Sequence, residues 1–136
     1  MMQSYEKVSG KSLKALLELA IEMRSVDGNF DVNKLIVLIS IARKNGIEAT
    51  KIAEAFGIPK GTMSNVVLSL SPYSYRRGRN GELKEGLGLI VQEPSLNDRR
   101  AKELHLTLEG KQFIDRLIKI LQDKQDDKKI WPEVDG

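Results

Sequence analysis

Residues 47–71, IEATKIAEAFGIPKGTMSNVVLSLS, constrain the fold more than any other stretch of the chain. Ile52, Ala53 and Phe56 recur at the spacing of one face of a short helix. Gly57 ends that helix, Ile58 is an apolar residue inside the turn, and Pro59 pre-sets the backbone for a new helix. Met63, Val66, Val67 and Leu70 then form a second apolar face. Two short helices across a tight, Gly-containing turn make a helix-turn-helix, and Ala53 is small where the two helices must cross. The outward face of the second helix, residues 60–71, carries Lys60, Thr62, Ser64, Asn65 and Ser69. These side chains are mostly short and hydrogen-bonding, and none is acidic. Such a surface suits a helix lying in the DNA major groove better than one that is merely solvated. Gly61 inside the helix costs roughly 1 kcal/mol against Ala, a cost that close approach to phosphate would explain.

Helices flank this unit. Residues 1–8 read as frayed, with Ser9 or Ser12 capping a first helix whose apolar stripe is Leu13, Leu16, Leu17, Ala20 and Ile21. It stops near Asp27-Gly28. Asp31 caps a second helix that is apolar nearly all round (Leu35, Ile36, Leu38, Ile39, Ile41, Ala42), which predicts a central position. Asn45-Gly46 ends it.

After the helix-turn-helix the pattern changes. Residues 71–88, SPYSYRRGRNGELKEGLG, are punctuated by Pro72, Gly78, Gly81, Gly86 and Gly88. They read as a basic, semi-ordered excursion, with Asn80-Gly81 suited to a tight turn. Its Arg76, Arg77 and Arg79, interleaved with Tyr73 and Tyr75, are candidates for DNA contact. Leu89–Glu93 then reads as a strand, and 94–98 as a turn. Lys102, Leu104 and Leu106 alternate with Glu103, His105 and Thr107 in a returning strand. Thr107 caps a last helix at about 108–124, with Phe113, Ile114, Leu117, Ile118 and Leu121 on one face. A strand, a basic tip at 95–100 and a second strand behind a helix-turn-helix constitute a wing. Its tip would put Arg99 or Arg100 on phosphate or in the minor groove, with Asp98 orienting an arginine and Lys102 on phosphate.

The composition excludes much else. With no cysteine there is no disulfide and no thiolate chemistry, and one histidine, His105, offers little for metal binding or imidazole catalysis. No phosphate-cradling Gly-rich loop and no paired carboxylates in a catalytic setting occur, so no enzyme, catalytic residue, metal site or cofactor is expected. The net charge is +3, and residues 60–111 hold nine basic against six acidic groups, which concentrates the excess around the wing. Neither a membrane span nor a signal peptide is legible, which predicts a cytoplasmic protein.

The segments KIAEAFGIPKGTMSNVV, GLGLIVQE and DRRAKELHLTLEG together resemble the MarR-type winged helix-turn-helix regulators, over about residues 30–121. The resemblance implies a mainly α fold with a small β-hairpin wing. Residues 1–30 and 108–136 would serve dimerisation, and 31–107 would be the DNA-binding unit with 71–88 as an insertion. It further implies a homodimer on a pseudo-palindromic double-stranded DNA operator, usually as a repressor. Lys60, Gly61, Thr62, Ser64 and Asn65 match the family's major-groove face, and Asp98 and Arg100 its wing-tip Asp-x-Arg. A small-molecule effector of unknown identity is compatible with the resemblance, with Arg24, His105 and Arg116 as polar groups for a dimer crevice. The alternative reading is a winged-helix accessory or architectural factor that binds DNA weakly and without regard to sequence.

Overall fold

The computed structural model describes residues 2–77, 83–98 and 100–122, with backbone only for 2–9, 73–77 and 83–84. The chain is mainly α-helical with two small antiparallel hairpins, and its order is that of a winged helix-turn-helix. Helices α1 (Met2–Val26), α2 (Val32–Arg43), α3 (Ala49–Phe56) and α4 (Lys60–Leu70) precede strands β1 (Tyr73–Arg77) and β2 (Leu83–Glu85). Strands β3 (Ile90–Pro94) and β4 (Lys102–Leu106) and helix α5 (Leu108–Gln122) follow. The core gathers Val37, Leu38 and Ile41 of α2, Ile52 of α3, Met63, Val66, Val67 and Leu70 of α4, Ile90 and Leu104 of the β3–β4 hairpin, and Phe113 of α5. Helix α2 is therefore central, as its composition predicts.

Local capping explains most boundaries. Asp31 Oδ1 accepts from the Lys34 N–H at 2.9 Å and starts α2. Gly57 ends α3 at φ +65°, in the left-handed region. Thr107 Oγ1 accepts from the Gly110 N–H at 3.0 Å and starts α5, while its hydroxyl donates to the Gly88 carbonyl at 2.6 Å. Between α1 and α2, the nearly buried Lys34 ammonium bonds Asp27 at 3.1 Å and the Asn29 carbonyl at 3.0 Å.

Helix α1 departs from expectation twice. It starts at Met2, so Ser9 and Ser12 lie inside the helix and not at its start. The preceding residues include good helix formers (Met2, Gln3, Glu6, Lys7), and propensity carries the helix past both serines. The face it turns to the body is also different. Leu19, Met23 and Val26 pack against the core. Leu16 and Ile21, from the stripe read in the sequence, are 61 % and 44 % exposed. Helix α1 thus carries two apolar faces, and among the described residues only one is packed against the core. Helix α5 behaves likewise: Phe113, Ile114 and Leu117 are buried, whereas Ile118 and Leu121 are exposed. Phe56 of α3, assigned to its inner stripe, is also exposed.

The third correction concerns residues 71–88. Within them β1 and β2 pair as an antiparallel hairpin that the sequence reading lacked, with Tyr73 opposite Glu85 and Ser74 opposite Lys84 before an irregularity that brings Arg77 opposite Leu83, while 78–82 lie outside the described residues. The hairpin is closed at its base, where the Gly86 N–H donates to the Pro72 carbonyl at 2.9 Å. The Leu87 N–H donates to the Ser69 carbonyl and the Leu89 N–H to the Leu70 carbonyl, tying the exit to the end of α4. Gly86 is required there, since a Cβ would lie 1.8 Å from the Ser71 carbonyl oxygen.

Candidate nucleic-acid interface

The helix-turn-helix forms as its sequence dictates. The Ile58 N–H donates to the Ala53 carbonyl at 2.9 Å across the turn, and the Ile58 side chain is buried. Pro59 occupies the position before α4 with φ −59°. Met63, Val66, Val67 and Leu70 face inward, which leaves Lys60, Gly61, Ser64 and Asn65 exposed and Thr62 half-buried. The first turn of α4 contains no acidic residue.

The wing is the β3–β4 hairpin, paired without interruption from Ile90 opposite Leu106 to Pro94 opposite Lys102. The first strand runs one residue later than read, from Ile90 through Pro94, because the Leu89 amide is engaged by the end of α4. Its tip is ordered by local bonds. The Ser95 N–H donates to the Ala101 carbonyl and the Ala101 N–H to the Asp98 carbonyl, both at 3.0 Å. Asp98 Oδ1 accepts from the Arg100 backbone N–H at 2.9 Å. This bond reaches the main chain of Arg100, as in an Asx turn. Arg100 and Lys102 are exposed. Leu96, not singled out in the sequence, is fully exposed at the tip.

A groove of about 700 Å³ runs between α3, α4 and the wing. Ala53, Ile58, Met63 and Val67 contribute its apolar lining, and Lys60 and Ser64 of α4 share it with Arg100 and Lys102 of the wing. Glu54 of α3 also lines it, an acidic group that the reading of α4 alone did not anticipate. The fold therefore brings four candidate residues, far apart in sequence, to one groove with three cations against one carboxylate.

The remaining candidates fall elsewhere. Arg76 and Arg77 belong to β1, whose backbone alone is described; Arg79 and Arg99 lie outside the described residues. Of the crevice candidates, Arg24 is exposed on α1. Arg116 is taken up by Glu22 of α1 and lies 5.7 Å over the Phe113 ring. His105 sits at the wing base against Asn45, where its Nδ1 is 3.0 Å from Asn45 Nδ2. Among the described residues no group of three or more His, Asp or Glu side chains has the geometry to hold a metal ion. No helix among them is long and apolar enough to cross a membrane.

The element order, the groove and the wing define a winged helix-turn-helix. Among solved structures the fold is similar to those of MarR-type regulators. MarR itself superposes with a TM-score of 0.56 at 21% identity, over 85% of this chain and 75% of that one. The transcriptional regulator Tm0710 from Thermotoga maritima gives 0.58 at 20% identity, over 88% and 74%. Reduced AbfR, in a structure bound to DNA, gives 0.53 at 14% identity, over 89% and 80%. No family model matches the sequence, and no curated protein does.

Proposed function

We propose that the chain is a sequence-specific, double-stranded-DNA-binding transcriptional regulator, cytoplasmic, acting as a homodimer and as a repressor. The observation that carries this reading is the shared groove, where Lys60 and Ser64 of α4 meet Arg100 and Lys102 of the wing. A helix laid in a major groove and a hairpin reaching the adjacent minor groove need these two surfaces to face one duplex together. In this reading Lys60, Arg77 and Lys102 neutralise phosphates and Gly61 allows close backbone approach. Thr62, Ser64 and Asn65 read base edges, and Arg100, with Arg99 beside it, enters the minor groove. Arg76 and Arg79 extend the contact from the β1–β2 hairpin. That AbfR is bound to DNA in its structure supports the assignment.

The exposed apolar faces of α1 and α5 support the homodimer: Leu16, Ile21, Ile118 and Leu121 are surface that a second copy would cover. Two-fold symmetry would then set two α4 helices about 34–36 Å apart on a pseudo-palindromic site.

The test is binding to DNA from upstream of the protein's own gene against a scrambled duplex of equal length, with salt titrated and the mass of the complex recorded. The expected result is a strong preference for one duplex, two chains per site and a steep loss of affinity with salt. Weak binding to all duplexes, including fragments recovered by genome-wide capture, overturns the regulator and leaves an architectural or protein-binding module.

A further inference from the structure

Strand β4 of the wing is hydrogen-bonded on both edges. On one edge lies β3. On the other, the turn between α2 and α3 runs along β4: the Gly46 N–H donates to the Leu104 carbonyl at 2.8 Å, and the Leu104 N–H donates to the Ile47 carbonyl at 2.9 Å. One residue further, the contact passes to a side chain. Asn45 Oδ1 accepts from the Leu106 N–H at 2.9 Å. That bond fixes which way the Asn45 amide faces, so its Nδ2 is the donor to His105 Nδ1 at 3.0 Å. His105 Nδ1 is therefore an acceptor, and its proton sits on Nε2. This nitrogen is 3.5 Å from Glu93 and 3.6 Å from Glu103, which face each other across the two strands. Like charges directly opposite destabilise a hairpin, and the buried Nε2 stands between these two without a hydrogen bond to either. Gly46 leaves room for the ring: its φ is +94°, and a Cβ there would stand 3.2 Å from His105 Cε1. The imidazole is thus wedged among the α2–α3 turn and both strands of the wing.

We propose that Asn45 and His105 are positioning residues for DNA binding: they fix the angle at which the wing leaves the body, and so the placement of Arg100 relative to α4. This rests on the DNA-binding reading given above. Neither residue lines the groove between α4 and the wing, and their effect passes through β4. Without the Asn45 amide, the Leu106 N–H and His105 Nδ1 both lose their partner and the strand keeps only its Leu104 bonds to the turn. The tip, with Arg100 five positions before His105 and just beyond the start of β4, then swings about that base.

The test is a double-mutant cycle, Asn45→Ala with Arg100→Ala, read as affinity for the tightest-binding duplex selected from a random-sequence library, with thermal unfolding of each variant alongside. Losing the amide should weaken binding about threefold, the worth of a modest hydrogen bond. In the Arg100→Ala background the same change should have less than about a twofold effect, because there is no tip arginine left to misplace. Side-chain geometry supplies a second arm. His105→Asn keeps an acceptor near the Nδ1 position and should bind almost as the parent does, whereas His105→Gln places its amide near Nε2 and should bind as Asn45→Ala does. An undiminished Asn45→Ala effect in the Arg100→Ala background, or equal binding by His105→Asn and His105→Gln, overturns the positioning role while leaving the DNA-binding reading intact. A failure of any duplex to be selected overturns both.

Discussion

The two hairpins differ less in composition than in what surrounds them. Both lie between α4 and α5, each carries arginines, and each is antiparallel. The wing runs through five paired positions without a break, buries Ile90 and Leu104 fully, and is flanked on its free edge by the α2–α3 turn. The β1–β2 hairpin carries a register irregularity, and its hydrogen-bonded closure lies at its base, through Gly86 and Pro72. A two-stranded hairpin alone is marginal in water. The wing becomes part of the fold because the core and a third segment hold it, whereas the backbone bonds described for the other hairpin tie its base to the end of α4.

Several changes would break or sharpen that contrast. The largest effect is expected at the wing's junction with α5. A Cβ on Gly110 would lie 2.0 Å from the Leu89 carbonyl oxygen, so Gly110→Ala should cost about 3 kcal/mol or more in urea unfolding. Leu104→Ala, at a fully buried site in β4, should cost about 2–5 kcal/mol in the same measurement. Arg100→Ala should leave stability unchanged and weaken DNA binding roughly tenfold on matched and scrambled duplexes alike, while Asn65→Ala should mainly reduce the difference between them. Replacing residues 73–85 with two glycines should shift stability by less than about 1 kcal/mol, because the ends already meet at Pro72 and Gly86. A loss comparable to that of Leu104→Ala would show the β1–β2 hairpin to be as integral as the wing.

The smallest effect lies outside both hairpins and serves as a control. The Asn29 backbone N–H, aided by Lys34, holds the Asp27 carboxyl below its ordinary value of 3.8 against the opposing effect of burial. A depressed carboxyl contributes stability that is present above the unfolded value and lost as pH falls through the folded one. Asp27→Asn should therefore lower stability at neutral pH by under about 1 kcal/mol, and the gap from the parent should close below pH 3.8 in acid unfolding.

Features set by neighbours in sequence were legible. Asp31, Gly57, Pro59 and Thr107 mark boundaries through local bonds or local backbone angles, and each stands where its chemistry predicts. The α4 faces and the wing strands follow from periodicity. The inward face of α1 did not, because Leu19, Met23 and Val26 compete with an equally apolar stripe through Leu16 and Ile21, and nothing local says which one meets the core. The β1–β2 pairing did not either, because the many glycines of residues 71–88 read as irregular chain, and the turn expected at Asn80-Gly81 lies outside the described residues. At the candidate site, Lys60, Ser64, Arg100 and Lys102 were chosen from sequence and share one groove. Glu54 and the Asn45–His105 contact were missed, since each matters through a partner that only the fold brings near.

The bond from the Leu106 N–H to Asn45 spans 61 positions of chain. Contacts of such separation close late, because the entropy of drawing the ends together must be met before the contact rewards it. Helices α2, α3 and α4 lie within residues 32–70 and contact one another, although the core around α2 is completed only by β4 and α5. The wing has to wait for residue 106 to leave the ribosome and find a turn made long before. A nascent chain would thus expose the α4 segment before it holds a seated wing, and on the DNA-binding reading proposed above, full grip on a duplex would be among the last properties it acquires.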